Sequence, residues 1–219
     1  MIAGINGPYF WRVDVKTFFD TVCVGKLRAN ALEPPSADAP NAGIGDGAVV
    51  SEGRVLSSNC DCLGFSRPTV LSINGSSTHI DVLHRGDAPP AGTLLDALSA
   101  GPNLVTSNAS GTFIDIPSDD ENIGNILEHS ANTAFGLTDD ARALLVTVDG
   151  FDGCPLLNAT CGINAYSIAY LMRDHFGVSS AMAMDQGGST TMWIKGAGIV
   201  SKSGGGPRPI FAGLFLAEQ

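Results

Sequence analysis

Short runs of apolar residues, broken at intervals by Gly, Pro, Asn and Asp, set the pattern of this chain. That spacing predicts many strands joined by turns. Ile2–Phe10 reads as a buried strand running into a turn at Asn6-Gly7-Pro8. Residues 32–47, rich in Pro, Ala, Gly and Asp, read as a surface loop. Strands resume at Ala48–Val50, Arg54–Leu56, Thr69–Ile73 and Ile80–Leu83. Thr93–Leu98 suggests one or two helical turns ahead of the breakers Ser99–Asn103. Ser118-Asp119-Asp120-Glu121 has the spacing of a capping box and predicts a short helix through Leu127. Its acidic residues fit a solvated helix N-terminus better than a cation site.

The second half carries the stronger signals. Leu144–Val148 is a continuous apolar run that ends in Asp149-Gly150, and it is the clearest strand in the chain. A long helix is expected over residues 163–176, where Ala165, Ile168, Ala169, Leu171, Met172 and Phe176 share one face and Gly177 supplies a stop. Ala181–Met184 and Met192–Ile194 read as strands, and Pro209–Leu216 as the last one. If the helix crosses between the strands ending at Asp149 and Asp185, those strands run parallel and both carboxylates leave the same sheet edge. The fold expected is α/β in the loose sense (α+β). It is a single domain over residues 1–219, with a mixed, largely antiparallel β-core and a few helices.

Composition narrows the function. At 219 residues the chain can bury a substantial core, and 44% hydrophobic with 16% charged residues describes a globular protein. A net charge of −10 argues against nucleic acid and anionic membranes as partners, since both call for basic patches. No apolar run approaches the roughly 18–20 residues that cross a bilayer. The start at Met1 lacks the basic segment and long apolar run of a signal peptide. The chain is therefore read as either cytosolic or the mature form of an exported protein. Sequons at Asn74, Asn108 and Asn158 lean towards a secreted or extracytoplasmic glycoprotein. Five cysteines leave at least one thiol without a partner in the chain. Cys154 and Cys161 bracket a loop short enough to bridge, and Cys60 or Cys62 is open to pairing with Cys23.

Asp185-Gln-Gly-Gly-Ser-Thr-Thr191, between two apolar runs, is the densest chemical motif. Paired glycines permit close backbone approach, and the amides of Gly187 and Gly188 with the hydroxyls of Ser189 and Thr190 are candidates for a nest of anion donors. The same stretch also fits an ordinary Gly-rich turn in which Asp and Ser satisfy local backbone groups. No Gly-x-Ser-x-Gly elbow surrounds Ser189, which argues against a serine nucleophile. The four histidines are scattered without metal-ligand spacing, and only His129, near Asn132, is kept as a possible site residue. No cofactor is required, although an oxygen-rich pair such as Asp149 and Asp185 leaves Ca²⁺ or Mg²⁺ open.

The motif resembles the C-terminal signature of the phosphodiester glycosidase family, in which Asp-Gly-Gly-Gly-Ser-Thr-Thr is followed by an Arg-Pro pair, here Arg208-Pro209. Further blocks are similar in order: Ile5–Phe10, Ala100–Val105, Asn132–Gly136 and Val148–Gly150. Two family arginines are replaced here, by Asn132 and Phe151, and Gln186 stands for a glycine. The resemblance implies hydrolysis of a carbohydrate or sugar-phosphate substrate at the anomeric carbon of a sugar 1-phosphodiester. It assigns carboxylate roles to Asp185 and Asp149, and substrate contacts to Asn6, Thr133, Gly187, Gly188, Ser189, Thr190 and Arg208. The missing arginines keep a non-phosphorylated glycan open as substrate, and a non-catalytic glycan-binding module is a third reading. Trp11, Trp193, Tyr9 and Phe10 are available as sugar-stacking rings or as core.

Overall fold

Antiparallel pairing accounts for every strand pair described in the computed structural model of this chain. The structure describes residues 1–7, 10–12, 43–45, 49–57, 69–74, 77–82, 96–116, 128–150, 161–203 and 213–217. Two compact units emerge, one of Met1–Gly7 with Gly101–Gln219 and one of Pro8–Ala100.

Strand β1 (Ala3–Asn6) belongs to the first unit, and the next seven strands make the second. There β2 (Phe10–Arg12) pairs with β3 (Gly43–Gly45). The strands β4 (Val49–Ser51), β5 (Arg54–Ser57), β6 (Thr69–Asn74), β7 (Ser77–Val82) and β8 (Asp96–Ala100) form a sheet in the order β5-β4-β8-β6-β7. Two expectations are corrected here. Gly43–Gly45, placed in a loop by its composition, is a strand. Thr93–Leu98, read as helical turns, contributes its described residues Asp96, Ala97 and Leu98 to β8. The reason lies in position: β8 is hydrogen-bonded on both sides, to β4 and β6, and Ala97 through Ala100 are buried. A helix preference of a few tenths of a kcal/mol per Leu or Ala does not outweigh two ladders and that burial.

The first unit adds β9 (Asn103–Asn108), β10 (Gly111–Ile114), β11 (Asn132–Leu137), β12 (Ala143–Val148), helix α1 (Ala165–Tyr170), β13 (Ser180–Ala183), β14 (Thr191–Ile194), β15 (Gly198–Lys202) and β16 (Gly213–Leu216). They form two sheets, in the orders β15-β14-β1-β16 and β10-β9-β13-β11-β12. The helix is shorter than its apolar pattern suggested. Asn164 caps it by accepting a bond from the Ser167 amide at 2.9 Å, and at Leu171 the coil widens to a π-helical turn through His175. The amide of Phe176 reaches back to the Leu171 carbonyl at 3.2 Å, and Gly177 at φ +64° ends the run. Ile168, Ala169 and Met172 face Leu104, Val105, Ala134, Ala181 and Ala183 of the five-stranded sheet, closing the core. The short helix expected over residues 118–127 lies outside the described residues.

One consequence of this topology positions the site. β11 is antiparallel to both β12 and β13, so β12 and β13 run in the same direction with β11 between them. Val148 pairs with Asn132 and Ala183 with Ala134, which brings both strand ends to one edge. The pattern-based expectation of two parallel strands joined through a helix is therefore met, with one strand interposed.

Candidate active site

Asp185 lies two residues beyond β13 and is 6% exposed. Its backbone is fixed on two sides: its amide donates to the Gly7 carbonyl at 3.1 Å, and its carbonyl accepts from Asn6 Nδ2 at 2.6 Å. Asn6, 1% exposed, also accepts from the Thr133 hydroxyl at 2.6 Å and from the Thr191 amide at 3.1 Å. One carboxamide thus joins β1, β11, β14 and the residue after β13. Ser189 Oγ donates a short hydrogen bond to Asp185 Oδ2. Burying a carboxylate is costly unless such donors replace its water.

Between Asp185 and Ser189 the chain makes a single 3₁₀ turn, Gly187–Ser189. Gly187 sits at φ +63°, in the left-handed region that a Cβ disfavours, and its amide donates to the Ala131 carbonyl at 2.8 Å. The expected donor nest is therefore partly engaged inside the protein: the Gly187 amide holds Ala131, and the Ser189 hydroxyl holds Asp185. The Thr190 hydroxyl differs. It is buried without a hydrogen-bond partner among the described residues, as is that of Thr191. A buried hydroxyl left so costs about 1–3 kcal/mol.

Asp149 follows β12 and is exposed. Ser201 of β15, which sequence reasoning did not single out, donates to Asp149 Oδ1 at 2.5 Å. The next residue, Gly150, is buried where a Cβ would meet the Ala131 amide, the Cys161 carbonyl and Gly162 Cα, each at 2.8 Å. No side chain fits there, so the strand end is locked against the 130–131 and 161–162 segments. Cys161 is disulfide-bonded.

Asn132, where the family pattern carries arginine, is 1% exposed. Its Nδ2 donates to the carbonyls of Ser130 (3.0 Å) and Ile163 (2.6 Å). It is a tie between segments. His129 is half-buried beside Ser130, and Trp193 is half-buried on β14 opposite Gly4 and Ile199. Arg208 and Phe151 lie outside the described residues. Among the described residues no group of three or more His, Cys, Asp and Glu side chains could hold a metal ion, and no helix is long and apolar enough to cross a membrane.

Carboxyls held below the usual range lie elsewhere. In the β11–β12 turn the Thr138 hydroxyl, then the Arg142 guanidinium, lower Asp140; on the π-helical turn Arg173 lowers Asp174. The Asp140 turn is at the opposite end of β11 from Asn132 and Thr133.

The phosphodiester glycosidase family matches residues 11–217. No curated protein sequence matches the chain significantly. Among solved structures, the catalytic domain of zebrafish N-acetylglucosamine-1-phosphodiester alpha-N-acetylglucosaminidase, auto-inhibited by its pro-peptide, is similar with a TM-score of 0.57 at 18% identity. The match covers 91% of this chain and 55% of that one. A hypothetical protein from Synechocystis matches at a TM-score of 0.48 and 12% identity, over 92% of this chain and 49% of that one. The chain thus spans about half the length of these structures. At this identity the zebrafish structure establishes the fold.

Proposed function

Because this chain belongs to the phosphodiester glycosidase family, matched over residues 11–217, we propose that it is a hydrolase cleaving the glycosidic bond of a sugar 1-phosphodiester or related glycan. The observation that carries this reading is the placement of Asp149 and Asp185 beyond the ends of two parallel strands that flank β11. Cleavage through an oxocarbenium-like state needs one carboxylate at the anomeric carbon and a second group to activate water or move a proton. The two environments divide those tasks. Asp185, buried and held by Ser189, is the fixed charge at the anomeric carbon. Asp149, exposed at its strand end where water reaches it, is the group assigned to activate water.

A phosphate leaving group is a weak base, so anion stabilisation matters more there than a strong acid. The Gly188 amide, the Thr190 hydroxyl and Arg208 are assigned to it. Asn6 and Thr133, joined to each other, hold the frame against which substrate sits. The disulfide at Cys161 fits an oxidising, extracytoplasmic compartment, with Cys154 as its proposed partner. The two units are read as parts of one family domain, because the family match spans both.

A second reading, a neutral glycan as substrate, is favoured by Asn132, whose carboxamide is engaged by two backbone carbonyls where the family has a cation. Turnover of a panel of sugar 1-phosphodiesters and matched aryl glycosides separates the two. Phosphodiester turnover lost in Asp185→Asn and Arg208→Ala is expected. Turnover of neutral glycosides alone, surviving Arg208→Ala, selects the second reading. Glycan binding with no turnover of either class would make this a binding module and end both.

A further inference from the structure

We propose that Ser201 and Ser203 of the β15 end form a strap that positions both acidic strand ends, Ser201 acting directly on Asp149 and Ser203 on the turn that carries Asp185. The proposal rests on the catalytic reading above for its consequence, and on geometry for its existence. Ser201, 9% exposed, donates to Asp149 Oδ1 at 2.5 Å. Two residues on, Ser203, 3% exposed, donates through its amide to the Thr190 carbonyl at 3.1 Å and through its hydroxyl to the Gly188 carbonyl at 3.3 Å. One extended segment therefore touches both ends.

The strand carries a device that sets this up. In the β14–β15 ladder Trp193 pairs with Ile199, yet Met192 pairs with Ser201, so Val200 is an extra residue on β15. Side chains alternate faces along a strand, and one inserted residue flips every position beyond it. The bulge thereby places Ser201 on the face of Met192 and of its β1 partner Ile5, which is 2% exposed. Without it Ser201 would point the other way. A hydrogen bond from a buried serine fixes one oxygen of the Asp149 carboxylate, and pre-set geometry is worth up to about 100-fold in rate when lost.

The test uses the intact chain with Ser201→Ala, Ser201→Cys, Ser201→Thr, Ser203→Ala and Asp149→Asn. On the best substrate of the panel, Ser201→Ala and Ser201→Cys should lower kcat about 10- to 100-fold with KM and Tm near the parent values. Ser201→Thr, which keeps the hydroxyl and suits a strand, should restore kcat. Ser203→Ala should shift KM and kcat together. In crystals of Ser201→Cys the Asp149 carboxylate should leave its place. If Ser201→Ala and Ser201→Cys turn over like the parent while Asp149→Asn is inactive, the strap is overturned and the catalytic reading stands. An active Asp149→Asn defeats the role given to Asp149, and the crystal then decides the strap alone: an unmoved Asp149 carboxylate overturns it.

Discussion

Asp185 and Asp149 lie beyond the ends of the two parallel strands that flank β11, yet their surroundings are opposite. Around Asp185 the protein is closed: Asn6, Thr133, Ser189 and the backbone of Gly7 and Thr191 meet over a few ångströms with little exposure. Around Asp149 the side chain is open to solvent although Ser201 holds one carboxylate oxygen, and its backbone neighbour Gly150 is locked. The contrast teaches that one strand end is built for fixed geometry and the other for access. Two carboxylates given different environments can take different tasks in one reaction.

The largest effect is expected on the closed side. Asn6→Ala removes the partner of the Thr133 hydroxyl, the Thr191 amide and the Asp185 carbonyl. At about 1–3 kcal/mol for each buried group left without a bond, urea unfolding should show a loss of about 3 kcal/mol or more. A loss under 1 kcal/mol would mean that the region is less closed than its contacts state. On the open side stability and activity should separate. Asp149→Asn should stay within about 0.5 kcal/mol of the parent in the same assay, while kcat falls about 10²- to 10⁴-fold. A large stability loss there would erase the distinction.

The smallest effect belongs to the far end of β11. Thr138 and Arg142 hold the Asp140 carboxyl below its usual range. A depressed folded-state value contributes stability that is present above the unfolded value and lost as pH falls through the folded one. Because Asp140 is exposed, solvent screens the interaction. Thermal melts from neutral pH to below the ordinary carboxylate range should therefore be nearly superimposable for parent and Asp140→Asn. A clear divergence would show that the Asp140 interaction is less screened than its exposure implies.

How much of this was legible follows the same divide. Asp149 and Asp185 stood out because each ends a continuous apolar run, and their common edge followed from a crossover helix. Asn6 and Thr133 were flagged through the family resemblance, but their bond to each other was not, because a sequence separation of 127 residues carries no local signal. β8 was misread because Leu and Ala favour helices in isolation, while pairing on both edges decides their state in a sheet. Ser201 was missed because a bulge changes which face a residue occupies, and nothing in the pattern of β15 marks that extra position.

The pairing of β1 with β16 has a consequence for the life of the chain before it is folded. Ala3 pairs with Leu216, about 210 residues later. At about 5–20 residues per second of synthesis, the first strand waits roughly 10–40 s for its last neighbour. The β14 side of β1 is filled earlier, and the bonds of Asn6 to Asp185 and Thr191 wait until those residues are made, so a chain released before them leaves these contacts unmade.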